Sequence, residues 1–190
     1  MPDNPDTKNR KALIRDAVTR RLQAQPADVF EHSGRLLLSR FRSSKLPVAG
    51  STVFAFASMN AELNTWPLLE WLWLSGDAPA LPLVRGRRMS FHRVSGAGEL
   101  RRGVFDIREP AAHLQQVSPE RDSIILVPGL AFTLSGTRLG RGGGYYDRFL
   151  SERPAGARAV GVCFDFQIHE SLPTAGHDAD VDEVWVIPCR

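Results

Sequence analysis

The sequence contains no apolar run long enough to cross a membrane. Its longest apolar stretches, such as residues 124–132, fall far short of the ~20 residues that a spanning helix needs, and Pro128 interrupts this one. Residues 1–21 are polar, whereas a secretory signal combines a basic start with an apolar core. These absences predict a cytoplasmic protein that does not bind a membrane.

Cysteine is scarce as well. Cys163 and Cys189 are too few for a disulfide framework, and neither has the CxxC or Cys/His spacing of a metal site. We therefore expect two packed thiols. The sequence also shows no Ser/His/Asp or Cys/His arrangement that requires a covalent nucleophile to explain it.

Lysine contributes only three of the 24 basic residues, so arginine supplies the rest, and the formal net charge is +3. The planar guanidinium group binds phosphate and carboxylate through two parallel hydrogen bonds, which favours an anionic ligand. Codon usage can produce the same excess of arginine, so this observation assigns no function by itself.

The spacing of apolar residues indicates an α/β protein. An apolar content of 43% and a charged content of 24% are typical of globular domains, and 190 residues suffice for one domain with a full core. The pattern predicts disorder over residues 1–7 and irregular structure over 96–119. Alternation of strands with helices predicts a layered α/β fold with a largely parallel sheet. Helices are predicted over 8–23, 28–41, 65–74 and 145–152, and strands over 52–57, 80–84, 89–94, 123–127, 157–164 and 183–187.

A glycine-rich segment follows the most apolar predicted strand. Four of the five residues 140–144 are glycine, so the backbone N–H groups can converge on an anion without obstruction by side chains. A predicted helix begins directly after the segment, and Arg138 and Arg141 add positive charge. The segment matches neither GxxxxGK[ST] nor GxGxxG. It predicts a phosphate-binding cradle at the edge of an α/β sheet, and the alternative is a flexible turn with solvated arginines.

Asp147 lies next to this cradle. A carboxylate there repels a phosphate ligand unless a cation bridges the two, which favours Mg²⁺. Three further aspartates, Asp178, Asp180 and Asp182, lie near the C-terminus, and one of them can complete the metal shell. Asp147 can instead be an acidic residue in the first turn of the helix, where its charge interacts favourably with the helix dipole. The other three aspartates can instead belong to a solvated acidic loop.

Residues 127–150 resemble the signature of the 5-formyltetrahydrofolate cyclo-ligase family, also called the methenyltetrahydrofolate synthetases. The resemblance covers about residues 8–187 and implies a three-layer α/β sandwich with a largely parallel central sheet, in a single domain spanning residues 1–190. Supporting matches outside the signature are Lys11, Arg15, Ser58, Met59, Glu62, Leu81, Pro82, Met89, Phe91, residues 105–110 and 161–167, Leu172, Pro173, His177, Asp178, Asp182 and Glu183.

The resemblance implies an ATP-dependent ligase that forms a C–N bond. In this reaction 5-formyltetrahydrofolate becomes 5,10-methenyltetrahydrofolate, and ADP and phosphate are released. ATP phosphorylates the formyl oxygen, and N10 of the folate then attacks the formyl carbon. The partners are therefore ATP and 5-formyltetrahydrofolate, with Mg²⁺ as cofactor and no nucleic acid. We expect a monomer.

The resemblance also implies a role for individual residues. Arg141 and Tyr145 are the candidate catalytic residues, and Asp147 and Asp178 correspond to the Mg²⁺ ligands. The ATP-binding residues are Lys11, Arg15, Arg138, Leu139, Gly140, Arg141, Gly142, Gly143, Gly144, Tyr145 and Tyr146. The substrate-binding residues are Ala57, Glu62, Phe105, Arg141, Gly142, Gly143, Gly144 and Tyr145.

Two positions depart from the family pattern. Ala57 is small where the family tends to carry a larger apolar residue, and Thr133 stands where an aspartate is common. Both departures concern the fit of the folate rather than phosphate or metal binding. Two alternatives remain open at this point: a nucleotide-binding paralogue without cyclo-ligase activity, and a basic RNA-binding module, which leaves the glycine-rich segment unexplained.

Overall fold

A computed structural model describes residues 4–46, 50–103 and 107–189. The α-helices are α1 (Pro5–Gln23), α2 (Ala27–Ser43), α3 (Trp66–Leu74) and α4 (Tyr145–Ser151). The strands are β1 (Val53–Phe54), β2 (Ala80–Arg85), β3 (Arg88–Arg93), β4 (Leu100–Arg102), β5 (Arg108–Pro110), β6 (Gln116–Val117), β7 (Ile124–Val127), β8 (Ala131–Phe132), β9 (Arg138–Leu139), β10 (Arg158–Phe164) and β11 (Glu183–Ile187). No helix among these residues is both long and apolar enough to span a bilayer.

A seven-stranded sheet with the strand order β11-β10-β7-β1-β2-β3-β6 forms the centre of the fold. The five strands from β11 to β2 run parallel, and β3 and β6 add antiparallel partners at one edge. The prediction of a largely parallel sheet is confirmed. The pairs β4–β5 and β8–β9 form two small separate hairpins.

Helices cover both faces of the sheet. Along β7, Ile124 and Leu126 pack with residues of α1, α2 and α3, whereas Ile125 and Val127 pack with α4. Successive residues of a strand point to opposite faces, so a strand that is apolar at every position requires cover on both sides. The three-layer α/β sandwich is therefore confirmed.

The N-terminal helix begins earlier than the apolar pattern predicts. Residues 5–7, which we expected to be disordered, form the first turn of α1. The Asn4 side chain accepts a hydrogen bond from the Asp6 N–H at 3.2 Å, and Pro5 occupies the first helical position, where its missing N–H costs nothing. These polar residues carry no apolar periodicity, so only the capping pattern could have revealed the turn.

The region 96–119, predicted to be irregular, contains strands β4, β5 and β6. Each of them has only two or three residues, which is too short to show an alternating pattern. Conversely, the strand predicted over 52–57 pairs as a strand only at Val53 and Phe54. The residues that follow β1 instead form part of a cavity wall.

Both cysteines are free. Burial, together with the nearby Asp165 carboxylate, raises the pKa of Cys163 to about 12. The pKa of Cys189 is raised too, mainly by burial. Since only a thiolate is a good nucleophile, neither cysteine is prepared for covalent chemistry.

Candidate active site

A cavity of about 490 Å³ lies beside the glycine-rich loop, defined here as residues 140–144. Residues that follow the carboxyl ends of β1 and β7 form part of its wall, among them Phe56, Ala57, Pro128 and Gly129. Ligands of open α/β sheets bind at this edge of the sheet. The cavity is therefore the candidate active site.

The glycine-rich loop presents unpaired donors at the cavity. Within the described part of the chain, the N–H groups of residues 141–144 donate to no carbonyl or side-chain acceptor, and all four residues line the cavity. Gly142 (φ +100°) and Gly144 (φ +64°) have backbone conformations that glycine adopts without strain. Helix α4 follows at once but has only seven residues, so the loop's own N–H groups are the main attraction for an anion.

Arg138 and Asp147 form an ion pair at the base of the loop. Arg138 Nη2 donates to Asp147 Oδ1 at 2.5 Å, and the arginine side chain is only 3% exposed. Asp147 Oδ1 also accepts the N–H of Ala179 at 3.3 Å. The Arg138 Nε atom is buried without a partner among the described residues. A buried guanidinium with an unused donor can bind a further anion group after a small rotation.

Helix α1 reaches the same region with two basic side chains on one face. Lys11 Nζ donates to Asp178 Oδ2 at 2.7 Å, and the Arg15 Nε–H donates to the Gly140 carbonyl at 2.8 Å. Positions i and i+4 of a helix are neighbours on its surface, which explains why both side chains reach the segments around the loop.

Glu62 and Arg141 connect the loop to the opposite wall of the cavity. Arg141 donates to Glu62 Oε1 through Nη2 at 2.9 Å and through Nε at 3.2 Å. The other carboxylate oxygen of Glu62 accepts the N–H of Met59 at 3.0 Å. The Glu62 side chain is 15% exposed, so this carboxylate is a partly buried acceptor on the cavity wall.

The two tyrosines after the loop have different environments. The Tyr145 hydroxyl donates to the Gly86 carbonyl at 2.8 Å. The Tyr146 hydroxyl is buried without a partner among the described residues, and burial raises its pKa well above the usual value. Tyr146 therefore stays protonated at neutral pH and retains an O–H donor.

Asp147 and Asp178 are suited to a magnesium ion that also binds phosphate. Within the described residues, Asp147 Oδ2 and Asp178 Oδ1 accept no hydrogen bond, so each carboxylate keeps one free oxygen. No group of three or more His, Cys, Asp or Glu side chains with metal-binding geometry occurs in that part of the chain. Magnesium commonly binds one or two carboxylates plus waters and substrate phosphates, and two carboxylates fit this mode.

Comparison with known proteins identifies the family of this chain. A family model described as the 5-formyltetrahydrofolate cyclo-ligase family matches residues 7–187. The chain belongs to this family. It is 31% identical over 176 residues to the 5-formyltetrahydrofolate cyclo-ligase of Escherichia coli K12, covering 90% of this chain and 92% of that protein. It is also 31% identical over 180 residues to the Mycolicibacterium smegmatis protein of the same name, covering 92% of each.

Solved structures of this family have the same fold. The 5,10-methenyltetrahydrofolate synthetase of Aquifex aeolicus has a TM-score of 0.79 and 30% identity, and the match covers 95% of this chain and 90% of that one. The Mycoplasma pneumoniae synthetase has a TM-score of 0.70 and covers 93% and 97%, but at 19% identity it supports the fold alone. The resemblance predicted from the sequence is confirmed, and with it the assignment to the ligases.

Most of the site residues implied by the resemblance line the cavity. These residues are Ala57, Glu62, Arg138, Gly140, Arg141, Gly142, Gly143, Gly144, Tyr145, Tyr146 and Asp147. Lys11, Arg15 and Asp178 are not among the residues that line it, but Arg15 contacts the loop at the Gly140 carbonyl, and Lys11 and Asp178 pair with each other. Phe105 lies outside the described residues.

Leu139 and Thr133 are not among the residues that line the cavity. Leu139 is buried in β9 and its carbonyl accepts the N–H of Leu130 at 2.8 Å, so its side chain does not reach the cavity. The Thr133 hydroxyl accepts the N–H of Thr137 at 3.0 Å within the turn between β8 and β9. The departure from aspartate at position 133 therefore lies away from the cavity wall.

Sequence reasoning missed two polar residues close to the loop. Glu109 is 7% exposed on the cavity wall, and its carboxylate lies 3.5 Å from Arg85. Arg148 donates to the Gly143 carbonyl at 3.1 Å. Arg148 falls within residues 127–150, which resemble the family signature, but spacing alone does not show that its side chain folds back onto the loop.

Proposed function

We propose that the protein catalyses the ATP- and Mg²⁺-dependent cyclisation of 5-formyltetrahydrofolate to 5,10-methenyltetrahydrofolate. The observation that carries this proposal is the row of N–H groups at residues 141–144, which donate to no acceptor among the described residues, in the cavity that Glu62 also lines. One cavity thus offers donors for a phosphate chain and an acceptor for the N–H edge of a pterin. The names of the family's members supply the substrate.

The chemical obstacle is a poor leaving group. The formyl group at N5 is an amide, and its oxygen cannot depart when N10 attacks the carbon. Attack of this oxygen on the γ-phosphorus of ATP breaks the bond to ADP and turns the oxygen into part of a phosphate ester. N10 then adds to the formyl carbon, phosphate leaves with the oxygen, and N10 loses its proton.

Such a reaction needs alignment and charge stabilisation more than a nucleophile. The N–H groups of residues 141–144 bind oxygens of the phosphate chain. Arg138 and Arg141 neutralise the charge that develops on the transferred group, and Tyr145 borders both substrates. Lys11 and Arg15 complete the positive side of the nucleotide site from α1. The inert thiols agree with a mechanism that has no covalent enzyme intermediate.

Asp147 and Asp178 are the residues that would hold the magnesium ion. When bound, the ion screens the phosphate charges and polarises the transferred phosphoryl group. Asp147 has a second task that does not depend on the metal, since its Oδ1 atom fixes the Arg138 guanidinium. The carboxylate thereby keeps a buried cation at the base of the loop.

The folate side of the cavity combines one acceptor with apolar walls. Glu62 accepts hydrogen bonds from the pterin N–H edge, and its Met59 contact holds the carboxylate in place. Ala57, Pro82 and Met89 line the wall with small or flexible apolar groups against which a flat ring can pack. Phe105 remains a predicted aromatic wall.

The test is the appearance of the methenyl chromophore in the near ultraviolet. Purified protein should produce it only when ATP, a divalent cation and 5-formyltetrahydrofolate are all present, with one ADP released per product. Omission of each component is the control. Nucleotide binding without any chromophore across a wide range of conditions would instead support the paralogue that lacks cyclo-ligase activity.

A further inference from the structure

Every second residue of the glycine-rich loop lies against an arginine guanidinium. A Cβ atom at Gly140 would lie 2.8 Å from Arg138 Nη1, and one at Gly144 would lie 2.8 Å from Arg148 Nη1. A side chain at either position would therefore require the arginine guanidinium to shift. A Cβ atom at Gly142 would lie 3.6 Å from Arg15 Cζ. The glycines therefore leave space for guanidinium groups as well as for a ligand.

Two of these arginines hold loop carbonyls. Arg15 Nε donates to the Gly140 carbonyl at 2.8 Å, and Arg148 Nη2 donates to the Gly143 carbonyl at 3.1 Å. The two bonds lie at the two ends of the loop. They come from different elements, because Arg15 belongs to α1 and Arg148 to α4.

Because the peptide group is planar, a contact that fixes a carbonyl also fixes the direction of the N–H group of the next residue. No peptide bond among the described residues is cis, and in a planar trans peptide the C=O of one residue and the N–H of the next point in opposite directions. The N–H of Arg141 therefore points away from Arg15, and the N–H of Gly144 points away from Arg148. Both N–H groups belong to the unpaired set that lines the cavity.

The turn between β2 and β3 anchors the Arg148 side of the loop. Arg148 Nη2 donates to the Arg87 carbonyl at 3.0 Å, and the Tyr145 hydroxyl donates to the Gly86 carbonyl at 2.8 Å. The Arg148 guanidinium also lies over the Tyr145 ring, 5.2 Å from its centroid. Because the turn connects two strands of the central sheet, Arg148 ties the loop to that sheet.

We propose that Arg148 is a positioning residue for phosphate binding. It orients the loop from one end while Arg15 orients it from the other, so that the N–H groups of residues 141–144 are arranged before the ligand arrives. Such preorganisation lowers the cost of ordering the loop on binding. This inference rests on the proposed function only in assuming that the loop binds a phosphate chain.

Calorimetric binding of tripolyphosphate and of ATP tests the proposal without turnover. Arg148→Ala should weaken both by about five- to tenfold, as expected for the loss of hydrogen bonds that hold the donors in place. The affinity for 5-formyltetrahydrofolate should change less than the affinity for tripolyphosphate, because the Glu62 wall is untouched. Arg20→Ala is the control for net charge, because Arg20 is 72% exposed on α1 and pairs with Asp16 on the same helix.

Arg148→Lys separates position from charge. Lysine keeps the positive charge but lacks the planar fork that reaches the Arg87 and Gly143 carbonyls together. The variant should therefore recover less than half of the lost tripolyphosphate affinity on a logarithmic scale, while it melts within a few degrees of the wild type. If Arg148→Ala fails to fold, the tripolyphosphate affinity of Arg148→Lys still tests the proposal.

Two results would overturn the proposal while leaving the proposed function intact. One is wild-type affinity for tripolyphosphate in Arg148→Ala, and the other is full recovery in Arg148→Lys, which would reduce the role of Arg148 to its charge. Failure of the wild-type protein to bind either ATP or tripolyphosphate would overturn the proposed function together with this inference.

Discussion

Lys11 and Asp178 are 167 positions apart in the sequence and form an ion pair with 2.7 Å between Nζ and Oδ2. Their side chains are only 4% and 14% exposed. The contact joins α1 to the segment before β11, and it joins a residue expected to contact ATP with one expected to bind magnesium. Any effect of Lys11 on nucleotide binding therefore includes an effect on the position of Asp178.

Replacement of Lys11 should destabilise the fold. Lys11→Met removes the ammonium partner of the partly buried Asp178 carboxylate, which among the described residues then accepts a hydrogen bond only from the Ala175 N–H, so we expect a loss of about 3 kcal/mol in the free energy of unfolding. Urea denaturation measures this value. Lys11→Met combined with Asp178→Asn should lose less than the sum of the two single changes, because the second change removes the unpaired charge.

An exposed ion pair on the same helix provides the contrast. Arg20 and Asp16 are 72% and 63% exposed, so Arg20→Ala should change the free energy of unfolding by less than about 1 kcal/mol. If Lys11→Met and Arg20→Ala lower the free energy of unfolding equally, the buried pair contributes no more to stability than the exposed one.

Asp147→Asn should reduce turnover and raise the Mg²⁺ concentration needed for half of the maximal rate by at least about tenfold. The amide removes the negative charge while it keeps the volume and can still accept from Arg138. A titration of the initial rate against Mg²⁺ measures the effect. Asp180→Asn is the matched control, because Asp180 is exposed and close in sequence to Asp178. If Asp147→Asn has the same Mg²⁺ dependence as the wild type, Asp147 does not bind the metal, and its role is limited to its contact with Arg138.

Glu62→Gln should separate the two substrates. It weakens acceptance from the pterin N–H edge, so the KM for 5-formyltetrahydrofolate should rise about tenfold or more. The KM for ATP should stay the same or fall, because Arg141 loses its anionic partner and is freed for phosphate. Lys11→Ala should have the opposite effect and raise the KM for ATP far more than the KM for 5-formyltetrahydrofolate.

Steady-state titration of each substrate with the other saturating measures both constants. Glu70→Gln on α3 is the control, because Glu70 is exposed. Equal shifts in both KM values for both Glu62→Gln and Lys11→Ala would mean that these residues support the fold rather than two separate subsites.

Thiol labelling should distinguish the two cysteines. Since burial raises the pKa of Cys163 to about 12, this thiol carries almost no thiolate at pH 8 and should react only after unfolding. Cys189 is partly exposed and should react faster in the native protein. Cys189→Ser should retain wild-type turnover. Rapid labelling of two thiols per native chain would contradict this assignment.

The layered α/β fold could be predicted from the sequence because its strongest signals are local. The run Ile124–Val127 is apolar at every position, and both faces of β7 are covered by helices. The glycine-rich loop was also recognisable, since four glycines within five residues restrict the backbone less than any other composition does. Such features depend on neighbours in the sequence.

The partners of the charged residues could not be predicted in the same way. Glu62 and Arg141 are 79 positions apart, and nothing in the spacing of either residue indicates the other. The contact of Arg148 with Gly143 spans only five positions, but it depends on the exit angle of α4 and on the position of the β2–β3 turn. Side-chain pairing across elements follows from the tertiary arrangement, which local patterns do not specify.

The Lys11–Asp178 contact also has a consequence during synthesis on the ribosome. Helix α1 leaves the ribosome early and can form at once, but the carboxylate that pairs with Lys11 emerges only after about 170 further residues. A nascent chain therefore cannot form the Lys11–Asp178 ion pair until residue 178 has been translated. The helix can make this contact only after residue 178 is present, so chains cut short before that residue should leave α1 undocked at this contact and open to proteases.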